Sequence, residues 1–132
     1  MQTYQTAKAA EQDKARLVEF LTALDGAGSA LRRDEYGLWI LRGRPGCYVA
    51  TWGDGTTWHL VVGSELSKQA WTWAKRRLAF CQLTQDGDTE GCFRLDRLPT
   101  PDEAAEIRGI LGIRKRPDLS AEALAAATNR LR

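Results

Sequence analysis

Between Ala7 and Leu24 the apolar residues Ala10, Leu17, Val18, Leu21 and Leu24 recur at helical spacing, and Gly26 supplies a stop. This helix packs mainly by its second half. Residues 1–14, rich in Ala, Gln and charge, offer less apolar face and are expected to fray. The period then changes to two. Three runs rich in aromatic and β-branched residues, Tyr36 to Arg42, Cys47 to Trp52 and Thr57 to Val62, are separated by short turn signals and predict antiparallel strands. Arg44-Pro45-Gly46-Cys47 suits a type II turn, because proline fixes φ at the second position and glycine accepts a positive φ at the third. Asp54-Gly55 suits a two-residue type I′ loop, which needs positive φ at both positions.

Tight turns imply a register. The Asp54-Gly55 loop sets Trp52 opposite Thr57 and Ala50 opposite His59, and the proline turn sets Trp39 opposite Trp52 and Leu41 opposite Ala50. One face then collects Leu38, Ile40, Cys47, Val49, Trp58, Leu60 and Val62, an apolar set that reads as core. The other collects Trp39, Tyr48, Trp52 and His59 among Leu41, Ala50 and Val61. That second face is aromatic with polar edges.

A second helix is expected from about Glu65 to Leu78, with Leu66, Ala70, Trp71, Trp73, Ala74 and Leu78 on one broad arc and Lys68, Lys75 and Arg76 on the basic outer face. Phe80 to Thr84 and Cys92 to Asp96 predict a hairpin centred on Asp86-Gly87, which would set Cys81 opposite Cys92. Thr100-Pro101-Asp102-Glu103 is a capping box with proline at the first helical position; Ala104, Ile107, Ile110 and Leu111 form the stripe, and Gly112 is the stop. Ser120 caps a fourth helix, with Leu119 stapling to Leu124. The order αβββαββαα predicts a single α+β domain over residues 1–132, its antiparallel sheet packed by helices and residues 99–132 forming a C-terminal helical pair.

Composition narrows the function classes. A chain of 132 residues can bury a core without metal or disulfide staples. Its 43% hydrophobic and 27% charged content fits neither a disordered nor a membrane class. No apolar run approaches the roughly 18 residues of a membrane span, and Met1 to Ala10 is too polar for a signal peptide, so the expected location is the cytoplasm. Cys47, Cys81 and Cys92 are odd in number and irregularly spaced, which fits a reducing compartment. A net charge of +2 does not mark the whole molecule as a nucleic-acid binder, so any basic surface is local.

Candidate chemistry is sparse. Cys47, His59, Cys81 and Cys92 are four soft ligands, but they lack a short knuckle spacing, and the register puts Cys47 and His59 on opposite faces; no metal and no cofactor are expected. One histidine and scattered carboxylates define no nucleophile and base, so no catalytic residue is assigned. Binding has better candidates. Bases can stack on Trp39, Tyr48, Trp52 and His59 with Arg42 and Arg44 at the rim, although tryptophans in strands are more often core. Lys68, Lys75 and Arg76, together with Arg114, Lys115 and Arg116, are candidate basic contacts to phosphate.

Two resemblances follow from these residues. Helix, three antiparallel strands, helix is similar in order to double-stranded-RNA-binding domains, which implies phosphate contacts from the start of the second helix, here Ser67-Lys68. This chain departs from that family in lacking a lysine cluster there, and Arg44-Pro45-Gly46 is a shorter loop than the one the family inserts into a minor groove. Leu98-Pro99-Thr100-Pro101 through Ile107-Arg108 and Leu111-Gly112-Ile113-Arg114-Lys115-Arg116 resembles the C-terminal ending of small bacterial proteins of prophage or mobile-element type. That resemblance carries no activity; it implies an accessory factor that binds nucleic acid or a host protein such as a defence nuclease. The expectation is a non-catalytic protein acting by stoichiometric binding to a protein or nucleoprotein. Direct nucleic-acid binding through the second helix and residues 114–116 is the alternative, and a small enzyme using His59 and a thiol stands third.

Overall fold

The computed structural model describes residues 6–52, 56–63 and 67–117. Helix α1 spans Ala7–Ala23 and is capped by Thr6, whose hydroxyl accepts from the Ala9 N–H at 3.0 Å. Its buried stripe is Leu17, Phe20, Leu21 and Leu24, one side of a 3.6-residue repeat. Val18, placed on that stripe by spacing, is 41% exposed because it lies about 100° around the helix from Leu17, and Phe20 fills the core instead.

After a short 3-10 turn at Gly28–Ala30 come β1 (Leu31–Arg33), β2 (Trp39–Arg42), β3 (Tyr48–Ala50) and β4 (Trp58–Val62), then α2 (Lys68–Arg77), β5 (Gln82–Asp86), β6 (Gly91–Leu95) and α3 (Pro101–Leu111). The six strands form one antiparallel sheet in the order β1-β2-β3-β4-β6-β5. This is the expected α+β architecture as far as α3, with β1 added. The Asp54-Gly55 turn, Glu65 and Leu66, and the fourth helix with its Leu119 staple lie outside the described residues. Tyr36, expected in a strand, sits in the β1–β2 turn, where Asp34 Oδ1 accepts from the Tyr36 and Leu38 N–H groups, both at 2.9 Å.

Ala50 pairs with His59, as turn chemistry predicts. Between β2 and β3 the register differs by one residue: Leu41 faces Val49 and Arg42 faces Tyr48. The proline turn does form, with Gly46 at φ 81° and the Cys47 N–H donating to the Arg44 carbonyl at 2.9 Å. However, the Gly43 N–H donates to the Cys47 carbonyl at 2.9 Å, so the loop holds three residues rather than two. A slip of one residue moves every β2 side chain to the other face. Leu41 therefore joins Cys47, Val49, Trp58, Leu60 and Val62 in the core, with Trp39 packed against them, and Ile40 leaves the expected core set. Trp39 pairs with Arg33, not Trp52, and β3 ends before Trp52, so the Trp52–Thr57 pair does not form either.

All three described helices contribute to the cluster on this face, through Leu17, Phe20 and Leu24 of the α1 region, Trp71, Ala74 and Leu78 of the α2 region, and Ala104, Ile107 and Leu111 of α3. Trp73 was expected in the α2 arc but is 56% exposed, since it projects about 200° from Trp71, and the Arg77 guanidinium lies 4.1 Å over its ring. The β5–β6 turn also shifts. Trp71 Nε1 donates to Asp86 Oδ1 and the Gly87 carbonyl at 3.0 Å each, and Lys75 Nζ lies 2.9 Å from Asp86, which holds Asp86 in the strand. The turn closes two residues later, with the Gly87 N–H donating to the Glu90 carbonyl at 2.8 Å, and Cys92 faces Gln85 instead of Cys81. Helix α3 has the expected capping box between Thr100 and Glu103 and ends at Gly112 with φ 75°. No described helix is long and apolar enough to cross a membrane.

Candidate functional site

With the described helices on one face, strand alternation assigns Arg32, Ile40, Arg42, Tyr48, Ala50, His59, Val61, Cys92 and Arg94 to the other. One row across β2, β3, β4 and β6 reads Arg42, Tyr48, Val61, Cys92; the next reads Ala50, His59, Arg94 across β3, β4 and β6. Ile40, Ala50 and Cys92 are buried, Tyr48, His59 and Val61 half-buried, and Arg32 and Arg42 exposed.

The aromatic centre of this face is held from the helix side. Thr51 is buried, and its hydroxyl donates to the Asp13 carboxylate of α1. Arg16 Nη2 donates to the Thr57 carbonyl at 3.1 Å, and Trp58 Nε1 donates to the Arg16 carbonyl at 3.2 Å. Both flanks of the β3–β4 connection are thereby tied to α1. Trp52 follows Thr51 with φ 49°, a left-handed conformation that costs a residue with a side chain about 1–2 kcal/mol. Its ring stacks on His59 at 4.5 Å between centroids and 25° between planes, yet it remains 46% exposed.

Electrostatics keep the neighbouring groups protonated. The Tyr48 phenol is raised, first by burial and then by Cys92 and Asp34. Burial also raises the Cys92 thiol and pushes Cys81 up to about 12. Thiols in that state are poor nucleophiles. Cys47 belongs to the core cluster on the face opposite His59, and among the described residues no group of three or more His, Cys, Asp or Glu side chains is placed to hold a metal ion.

Of the aromatic residues expected together, Tyr48, Trp52 and His59 share this face and Trp39 does not. Its ring lies toward α1, with Lys14 Nζ and the Arg33 guanidinium each 4.8 Å from the centroid. The basic candidates divide. Lys68 and Arg76 are exposed on α2, whereas Lys75 is bound to Asp86. Residues 114–116 run beside Gly26: the Ala27 N–H donates to the Arg114 carbonyl at 2.8 Å, the Arg116 N–H donates to the Asp25 carbonyl at 2.7 Å, and the Lys115 and Arg116 side chains lie 4.0 and 3.4 Å from the Asp25 carboxylate. Helix α2 is fixed to the β5–β6 turn at one edge of the sheet, and residues 114–116 to the segment entering β1 at the other.

Sequence reasoning missed Arg32 and Arg94 as members of this face. Only β1 and the β4–β6 pairing reveal them, and β1 carries a single apolar residue as its signal. The loop that a double-stranded-RNA-binding domain would send into a groove is occupied here: the Arg44 N–H donates to the Leu111 carbonyl at 2.8 Å, and Arg44 Nη2 donates to the Ile110 carbonyl. Comparison with models of known families, with curated proteins and with solved structures finds no match for this chain.

Proposed function

We propose that the protein acts by stoichiometric binding, without a catalytic step or a cofactor, and that a protein partner with an acidic surface docks on the outer face of the sheet around Tyr48, Trp52 and His59. One observation carries this reading: Trp52 holds a costly left-handed backbone conformation while its stacked ring stays 46% exposed. Local strain of this kind concentrates at functional positions. Trp, Tyr and Arg are also the residue types that contribute most to binding at protein interfaces, and Arg32 and Arg42 lie on the same face, with Arg94 ion-paired to Asp96 at 2.8 Å. The proposed location is the cytoplasm, where three free cysteines stay reduced. An accessory role of the prophage type, such as inhibition of a defence nuclease, enters through the resemblance of residues 98–116.

The test is co-purification of a partner with the tagged protein from its own cells, comparing wild type with Trp52→Ala and Trp73→Ala. Both tryptophans are exposed, Trp52 stacked on His59 of the outer face and Trp73 on α2, which packs against the other face. Loss of the partner with Trp52→Ala alone supports the reading; loss with Trp73→Ala alone overturns it. A second reading, direct nucleic-acid binding, draws on the combination of Tyr48 and Trp52 with Arg32 and Arg42 on one face. It requires a salt-sensitive mobility shift of short oligonucleotides that weakens in Arg42→Ala.

A further inference from the structure

We infer that the end of the outer face beside α3 is a binding site for a terminal phosphate group. A shallow cavity of about 330 Å³ is lined there by Ala27, Ser29, Ala30, Arg32, Arg42, Gly43, Gly112 and Arg114. Three arginines thus line one polar pocket, and no acidic residue does.

The pocket is assembled by tertiary contacts between three distant segments. Arg32 and Arg42 project from β1 and β2 on the same face, since Arg32 pairs with Ile40 and Arg42 lies two residues beyond. Arg114 is brought to them because α3 ends against the β2–β3 loop, through the Arg44 N–H to Leu111 carbonyl bond at 2.8 Å, and then pairs with Ala27 at 2.8 Å. Gly43 permits that approach: a Cβ there would stand 1.9 Å from the Leu111 carbonyl oxygen.

The Asp25 and Asp34 carboxylates are engaged elsewhere. Asp25 faces Lys115 and Arg116, and Asp34 Oδ1 accepts the Tyr36 and Leu38 N–H groups. Among the described residues Arg42 and Arg114 have no ion-pair partner, Arg32 donates only its Nε, to the Ser29 carbonyl at 3.0 Å, and the Ser29 hydroxyl has no hydrogen-bond partner. Three like charges around a pocket that no acidic residue lines repel one another, and an oxyanion relieves that repulsion.

Planar guanidinium forks match phosphate oxygens in pairs. Three arginines and a serine lining one cavity suit a terminal phosphate, which presents three free oxygens and close to two negative charges. A phosphodiester presents two oxygens and one charge, and binding a strand of them calls for a track of cations rather than one pocket. This inference does not depend on the protein-partner reading, because the pocket binds a small probe without any partner.

The experiment is an NMR titration of the arginine Nε–H signals of the full chain at constant ionic strength, in four arms: inorganic phosphate, chloride, a hexathymidylate with free hydroxyl ends, and the same oligonucleotide carrying a 5′-phosphate. Arg32, Arg42 and Arg114 are expected to shift saturably with inorganic phosphate, half-saturating on the order of 1 mM, and more tightly with the 5′-phosphorylated strand. Arg42→Gln and Arg114→Gln each weaken this by about tenfold or more, whereas Arg76→Gln, on α2, leaves it unchanged. Equal response to the unphosphorylated strand, equal response to chloride, or no saturable shift of these three signals in a folded protein overturns the proposal.

Discussion

Gly43→Ala probes the contact that both sets the β2–β3 register and builds the arginine pocket. A methyl group at this position would lie 1.9 Å from the Leu111 carbonyl oxygen and 2.8 Å from its carbon, both backbone atoms that cannot rotate away. An ordinary carbon to oxygen contact is about 3.3–3.6 Å, so the end of α3 must retreat by about 1.4 Å or more. That retreat breaks the Arg44 N–H to Leu111 bond and disturbs the Arg44 side-chain bond to Ile110. Each such bond contributes about 0.5–1.5 kcal/mol, and a forced fit in a packed region costs about 1–3 kcal/mol, so the variant should lose about 2–6 kcal/mol. Urea unfolding followed by tryptophan fluorescence measures this as a lower midpoint at unchanged slope. Gly28→Ala is the control, because nothing lies within 4 Å of the added carbon, and its effect should stay within about 0.5 kcal/mol. A Gly43→Ala variant as stable as that control would refute the α3 docking and, with it, the placement of Arg114 beside Arg42.

Other outcomes follow from the same contacts. Trp52→Gly removes a stack of about 0.5–1.5 kcal/mol but also relieves about 1–2 kcal/mol of left-handed strain, so urea unfolding should change by less than about 1 kcal/mol while partner binding is lost. Trp71→Phe deletes the Nε1 bonds to Asp86 and Gly87 and should cost about 1–3 kcal/mol in the same assay. The hydrogen bond from Arg97 is the largest cause holding the Glu103 carboxyl down at about 2, against an ordinary 4.5. Its contribution is fully present above pH 4.5 and fades as pH falls towards 2, so the thermal midpoint of Arg97→Gln should decline less across that window than that of wild type. Cys47, Cys81 and Cys92 are buried, and a thiol-reactive dye should label none of them quickly in the native protein at neutral pH and all three after unfolding.

Helix α3 was legible because its signals are local: Thr100, Pro101, Glu103 and Gly112 act within one turn of its ends. The three central strands were legible for the same reason, through alternation and turn residues. Where the structure departs from expectation, a distant contact outweighs a local preference. Pro45-Gly46 fixes the turn type, but the third loop residue is decided by Gly43 meeting Leu111 across the fold. Asp86-Gly87 is a good turn pair, yet Trp71 and Lys75 from α2 retain Asp86 in β5. Within the site, Tyr48, Trp52 and His59 could be grouped from β3–β4 pairing alone, whereas Trp39 was misplaced by the β2 slip. Arg32 was hidden because Leu31-Arg32-Arg33 is too short and too polar to read as a strand, and Arg114 could not be brought to Arg42 without knowing where α3 ends.

The central claim is that the sheet face opposite the described helices is where a partner binds. Its most direct test is site-specific photo-crosslinking in the protein's own cells, with p-benzoylphenylalanine placed at Trp52 or, on the helix side, at Trp73. A discrete crosslinked product from position 52 and none from position 73 is the predicted result. A product from position 73 with none from position 52 would contradict it.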